Sequence, residues 1–178
     1  MLKNTQQKYG LIAKVIHWLV ALTVIGLFAV GLWMVELDYY SAWYTKAPYY
    51  HKSVGIVLAM IMLFRLAWKF ANISPNPVSN HSAREVLGAK IAHWLFYILI
   101  LMMIISGYLI STADDRSIEV FGVFEVPALG SVFENQEDTA GLIHEWLAYV
   151  LIALASFHAL AALKHHVLDK DDTLKRML

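Results

Sequence analysis

Four long apolar runs, roughly residues 12–35, 50–70, 91–111 and 142–167, decide what this chain can fold into. Each is close to the ~20 residues that an α-helix needs to cross a hydrocarbon layer about 30 Å thick. Only a helix satisfies its own backbone in such a layer, so the runs are expected as transmembrane helices. Short connections between them dictate an up-and-down order. No remaining stretch is long enough for a second core, so residues 1–178 read as one all-α, integral membrane four-helix bundle. With 59% hydrophobic and 16% charged residues, the composition is too apolar for a typical soluble domain, and no nucleic-acid partner is expected of a chain with no formal net charge. The first run is too long for a cleaved signal peptide, and no small-residue cleavage site follows it.

Charge sets the orientation. Lys3, Lys8, Lys14, Arg65, Lys69, Arg84, Lys90, Lys164, Lys170, Lys175 and Arg176 fall at one end, whereas the two opposite connections hold only Lys46, Lys52 and Arg116. By the positive-inside rule both termini are expected in the cytoplasm. The outer connections are acidic instead, with Glu36, Asp38, Asp114, Asp115, Glu119, Glu125, Glu134, Glu137 and Asp138. The outer stretch FGVFEVPALG has enough apolar residues and turn formers to fold back over the bundle mouth as a cap. The absence of cysteine excludes disulfides, thiolate-held iron–sulfur or zinc sites and a thioether-linked haem. A cofactor here must be held by histidine, carboxylate or backbone.

The histidines carry the chemistry. In the fourth run His144, His158 and His165 are spaced by 14 and 7 residues and share one helical face, with mostly small residues such as Ala148, Ala155 and Ala162 between them. His144 and His158 lie about 21 Å apart along the axis, near opposite edges of the apolar layer. In an up-and-down bundle His17 on the first helix reaches the cytoplasmic depth of His158, and His51 on the second reaches the outer depth of His144. Ionisable groups inside a span are costly and mark function. Neutral imidazole is a usual haem ligand, and two opposed imidazoles leave no open iron site, so the two pairs predict two bis-histidine, non-covalent b haems stacked across the bilayer. Gly55, one turn after His51 on the same face, favours close approach by a neighbour or cofactor, and Arg65 returns to that face at the cytoplasmic end, as a snorkelling anchor or as partner to a buried anion. His93 has no further histidine at its depth to pair with and reads as a quinone-side or interfacial group. His81 lies in a polar loop and reads as solvated. A haem-free transporter would also use intramembrane histidines, but such proteins favour carboxylates in the spans, and Glu145 is the one obvious candidate.

The segments IHWLV, HKSVGI with FRLAWK, AHWLFY, and IHEWLAYVLIALASFHALAALKHH with the tail DKDDTLKRM together resemble the bacterial cytochrome b561 family, small four-helix dihaem b cytochromes that include superoxide oxidases. The resemblance spans essentially the whole chain. It implies His51 and His144 as ligands of an outer haem and His17 and His158 of an inner one. It also implies a quinone near the cytoplasmic end of the fourth helix, at His165, with Lys170 and His93 nearby. The function it implies is electron transfer in a bacterial inner membrane between a periplasmic-side donor, superoxide or a redox protein, and the ubiquinone pool. Lys46, Lys52 and Arg116 stand among many outer carboxylates, so superoxide as donor comes from the resemblance and not from the charge of the outer loops. A cytochrome b subunit of a dehydrogenase or hydrogenase complex fits the same residues, and a homodimer is allowed.

Overall fold

Inside an apolar layer a backbone has no water to bond, and the computed structural model, which describes residues 1–78 and 81–178, meets that constraint with four long helices. These are α1 (Leu11–Met34), α2 (Lys46–Ala71), α3 (Ala83–Ser111) and α4 (Gln136–Val167). All four are long and apolar enough to cross a membrane, as the sequence predicts. They run up and down, so both termini lie at one end of the bundle.

Three helices start earlier than the apolar runs suggest: α2 at residue 46 rather than 50, α3 at 83 rather than 91, and α4 at 136 rather than 142. Hydropathy marks the lipid-facing part of a helix, whereas its ends are set by capping. At α3, Ser82 and Glu85 form a reciprocal capping box. At α4, Glu137 and Asp138 place negative charge in the first turn, where the helix dipole favours it.

Ile16 and Val20 of α1, Leu58 and Met62 of α2, Ile100 of α3 and Leu151 of α4 form one thin buried core along the axis. Large apolar side chains on the outside, among them Leu22, Leu63, Leu101 and Phe157, are exposed and make the surface expected against lipid tails. The helices pack mainly as two neighbouring hairpins, α1 with α2 and α3 with α4, and α1 touches α4 only lightly. That leaves the facing sides of α1, α2 and α4 for the histidines.

The two ends of the bundle are closed differently. At one end the connection after α3 folds back as an antiparallel hairpin, β1 (Ile118–Val120) and β2 (Phe124–Val126), which packs on α2. Its turn has positive φ at both Phe121 and Gly122, the geometry that matches the strand twist of a tight hairpin. Ser53, fully buried on α2, holds that turn: its hydroxyl donates to Glu119 O (3.3 Å) and accepts from Phe121 N (3.3 Å). Tyr108 Oη donates to Pro127 O, and the buried Gln136 side chain bonds Leu109 O and Val132 N. At the opposite end the N-terminal leader, the α2–α3 connection and the C-terminal tail are laced together. Asn4 Nδ2 donates to Ile73 O, Asn76 N to Gln6 O, Arg176 Nη1 to Asn76 O, and Trp18 Nε1 to Met177 O.

Replacing Ser53 by alanine, which removes only the hydroxyl, leaves two part-buried backbone groups of the hairpin unpaired, a cost on the order of 1–3 kcal/mol. Ser53→Ala should therefore be cut within residues 112–135 several-fold faster by a non-specific protease, with unchanged helical circular dichroism. Equal cleavage rates would show that the cap is held by other contacts.

Candidate functional site

At the hairpin end His51, one turn into α2, faces His144 in the third turn of α4. Their ring centres are 6.3 Å apart and their planes lie at 68°. His144 is oriented from behind. Its Nδ1 lies 3.0 Å from Ser106 Oγ, and that hydroxyl lies 2.9 Å from Met102 O and 3.1 Å from Met103 O. The single hydroxyl hydrogen goes to a carbonyl, so the oxygen accepts the His144 Nδ1–H, and Nε2 keeps its lone pair free for a ligand bond. Glycines make room for both rings. A Cβ on Gly107 would stand 3.2 Å from His144 Cε1, and one on Gly31 would stand 3.5 Å from His51 Cε1. A Cβ on Gly55 would meet nothing within 4 Å, so no neighbouring residue makes the close approach to it that the sequence suggests. A cavity of about 270 Å³, lined by Thr23, Gly26, Val30, His51 and Val54 among others, adjoins the pair on the α1 side. His51 Nδ1 is buried without a hydrogen-bond partner among the described residues.

At the terminus end His17 of α1 faces His158 of α4, again with ring centres 6.3 Å apart, at 56°. Arg65 of α2 reaches the same level, where its Nη2 donates to His17 Nδ1 over 3.4 Å and its guanidinium lies 5.8 Å from the Tyr97 ring. His93, for which the sequence leaves no spare histidine to form a further pair, reaches the same level. Its ring centre is 5.6 Å from that of His158, and Phe96 packs against the same imidazole at 5.4 Å. Three imidazoles therefore meet at this level, because α3 packs closely on α4 and brings His93 round to it.

Beyond this level His165 turns towards the tail. Its Nδ1 lies 2.8 Å from Asp169 Oδ2 and 3.1 Å from Asp171 Oδ2. His81 is not the solvated side chain expected of it. It is largely buried, its ring centre lies 4.5 Å from that of His165, and its Nε2 lies 2.9 Å from Asp171 Oδ2. Burial alone would raise the Asp171 carboxyl, but hydrogen bonds from Thr173 and His81, together with the charge of His165, hold it below the usual carboxylate range. Lys164 pairs with Asp169 (2.6 Å) and Glu85 (3.5 Å). Lys170 is exposed, at a left-handed turn with φ 54°, and makes no ion pair among the described residues.

The structure thus brings together His51 with His144 and His17 with His158, sets Arg65 beside His17, and carries His93 to the same place. Ser106, Gly31, Gly107, His81 and Asp171 also take part, and the sequence alone assigns none of them a role. The Ser-Gly pair inside the apolar run LMMIISGYLI was the available signal for the first of these: a hydroxyl in a span needs a partner.

Comparison with known proteins identifies the family. The sequence profile of prokaryotic cytochrome b561 matches residues 8–178. "Cytochrome b561 homolog 2" of Escherichia coli (strain K12) is 49% identical over 175 residues, covering 98% of this chain and 93% of that protein. "Probable superoxide oxidase CybB" of Yersinia pestis is 32% identical over 177 residues, covering 97% and 96%. "Cytochrome b561 homolog 1" of Escherichia coli (strain K12) is 32% identical over 130 residues, 72% of each chain. With four membrane-crossing helices and imidazoles facing one another inside them, the chain belongs to the prokaryotic cytochrome b561 family of haem b-containing, multi-pass membrane electron-transfer proteins.

Proposed function

We propose that the chain holds two haems b, one between His51 and His144 and one between His17 and His158, and conducts electrons between a periplasmic-side donor and ubiquinone. The observation that carries this reading is the equal ring separation of the two pairs. With a metal–imidazole nitrogen bond of about 2.0 Å and roughly 1.2 Å from that nitrogen to the ring centre, two rings on opposite sides of one metal sit about 6.4 Å apart. Both pairs stand at 6.3 Å. The His93–His158 separation of 5.6 Å is short for that arrangement, so in this reading His93 stands outside the pairing, as a group on the quinone side. Bound haem supplies reversible one-electron transfer, and two imidazole ligands leave no iron position for oxygen chemistry.

The protein's own groups do the rest. Ser106 fixes the His144 tautomer, and glycines at 31, 55 and 107 admit a flat ligand next to the imidazoles. Arg65 is a donor only, so a carboxylate is a better partner for it than His17 Nδ1. Arg65 would hold a haem propionate of the inner site, and His17 would then be free of it as an iron ligand. The basic end, with both termini, is cytoplasmic in this reading, which places the protein in the bacterial inner membrane. There His165 stands about 10 Å beyond His158 along α4. Asp169 and Asp171 face its Nδ1, leaving Nε2 for a quinone carbonyl. A quinone needs two electrons and two protons to become a quinol, and an imidazole with carboxylates on its cytoplasmic side can relay those protons. If superoxide is the donor, two molecules each lose one electron to become dioxygen for every quinone reduced. The name of the Yersinia relative supports that donor. Lys46, Lys52 and Arg116 stand among carboxylates at the hairpin end, which favours a donor that needs no long-range attraction of an anion.

Purified protein should release two haems b per chain into acid acetone, and His51→Ala should lower the ratio to one; a wild-type ratio of one would contradict the pairing. Arg65→Leu removes a positive charge beside the inner site and should lower one of the two midpoint potentials, on the order of tens of millivolts, in a redox titration. Two unchanged potentials would make Arg65 only an anchor. His165→Ala should keep both haem spectra and still accept electrons from the outer side, while its reoxidation by added ubiquinone slows at least tenfold. Normal reoxidation would move the quinone site towards His93.

A further inference from the structure

At the terminus end, three separate segments bring nitrogen and oxygen donors to one point. His81 precedes the cap of α3, His165 lies in the last turn of α4, and Asp171 lies in the tail. His81 Nε2 and His165 Nδ1 both face Asp171 Oδ2, at 2.9 and 3.1 Å, and the three ligand atoms lie within 4.8 Å of one another. The side chains are 14%, 13% and 3% exposed, which is low for a cluster outside the apolar layer. The carboxylate is set from the other side: Thr173 N donates to Asp171 Oδ1 at 2.8 Å, which turns Oδ2 towards the imidazoles.

Two features separate this cluster from an ordinary pair of histidines donating to an aspartate. First, His165 Nδ1 is buried and has carboxylate oxygens at 2.8 and 3.1 Å, yet it makes a hydrogen bond to neither. It is brought to charge without being aimed at it, as donors are when they share a centre between them. Second, nitrogen-to-oxygen edges of 2.9 and 3.1 Å are close to the edge of about 3.3 Å of a tetrahedron with bonds of about 2.0 Å. We propose that His81, His165 and Asp171 bind a divalent transition-metal ion of the zinc class. Two neutral imidazoles and one carboxylate form a donor set that zinc accepts, and the Asp171 carboxylate offsets part of its charge. Asp169, held by Lys164 at 2.6 Å, lies outside this triad. The ion would staple the C-terminal tail to the ends of α3 and α4. The site stands on this geometry alone, so it can fail while the electron-transfer reading holds, and the reverse.

The test is equilibrium dialysis of the full-length protein, as purified in detergent and stripped with a chelator, against zinc sulfate, with metal analysis and thermal melting. Wild type should retain one zinc per chain and melt at higher temperature with zinc than without. His81→Ala should bind at least tenfold more weakly and lose the zinc-dependent rise, while melting like wild type in its absence. Asp171→Asn should behave in the same way; should it fail to fold, His81→Ala alone decides, since that residue lies in a connection. The proposal is overturned if wild type retains no zinc, or if His81→Ala retains it with wild-type affinity.

Discussion

An imidazole inside an apolar layer must find partners for two ring nitrogens where there is no water, and most of this structure answers that requirement. Leaving such a group unpaired costs on the order of 1–3 kcal/mol per nitrogen, and four paired histidines would together consume much of a small bundle's stability. The chain meets the cost unevenly. His144 has Ser106 behind it and His17 has Arg65, whereas His51 Nδ1 has no hydrogen-bond partner among the described residues. Each pair keeps its ring centres at one separation, 6.3 Å, with the ring planes steeply inclined to one another, instead of letting the imidazoles close on one another. That spacing is more easily explained by a ligand shared between the rings than by packing, since a hydrogen-bonded imidazole pair would draw together.

The same requirement shapes the helices around the rings. Glycine in a helix interior costs about 1 kcal/mol relative to alanine, and the chain accepts that cost at Gly107, where a Cβ would press on His144. The core is correspondingly thin, with six buried apolar side chains carrying the axis and the remaining apolar surface turned outward. Stability of the ends comes from polar ties instead: Ser53 and Gln136 under the hairpin cap, and the leader, connection and tail laced across the opposite end.

Much of this was legible in the sequence, because lipid imposes simple rules. Span length and hydropathy give the four helices, and a 14-residue spacing puts His144 and His158 on one face whatever the packing. What periodicity does not carry is the rotation of one helix against its neighbour. His93 has no spare histidine to pair with in the sequence, and only the close packing of α3 on α4 shows that its ring meets that of His158. His81 looked solvated because a polar loop gives no sign that the tail will fold over it and bring Asp171 to within 2.9 Å. The early start of α3 was readable, since Ser82 and Glu85 are a capping-box signature, but hydropathy outweighed it.

The central claim is that two opposed imidazoles hold each of two haems, and the axial ligands themselves can be observed. Near-infrared magnetic circular dichroism of the oxidised protein reads the ligand pair from the energy of the ligand-to-iron charge-transfer band. The account predicts that all of the haem is low-spin with bis-histidine ligation, and that His158→Ala removes half of that signal. A five-coordinate, high-spin or histidine–methionine component in freshly purified wild-type protein would contradict it.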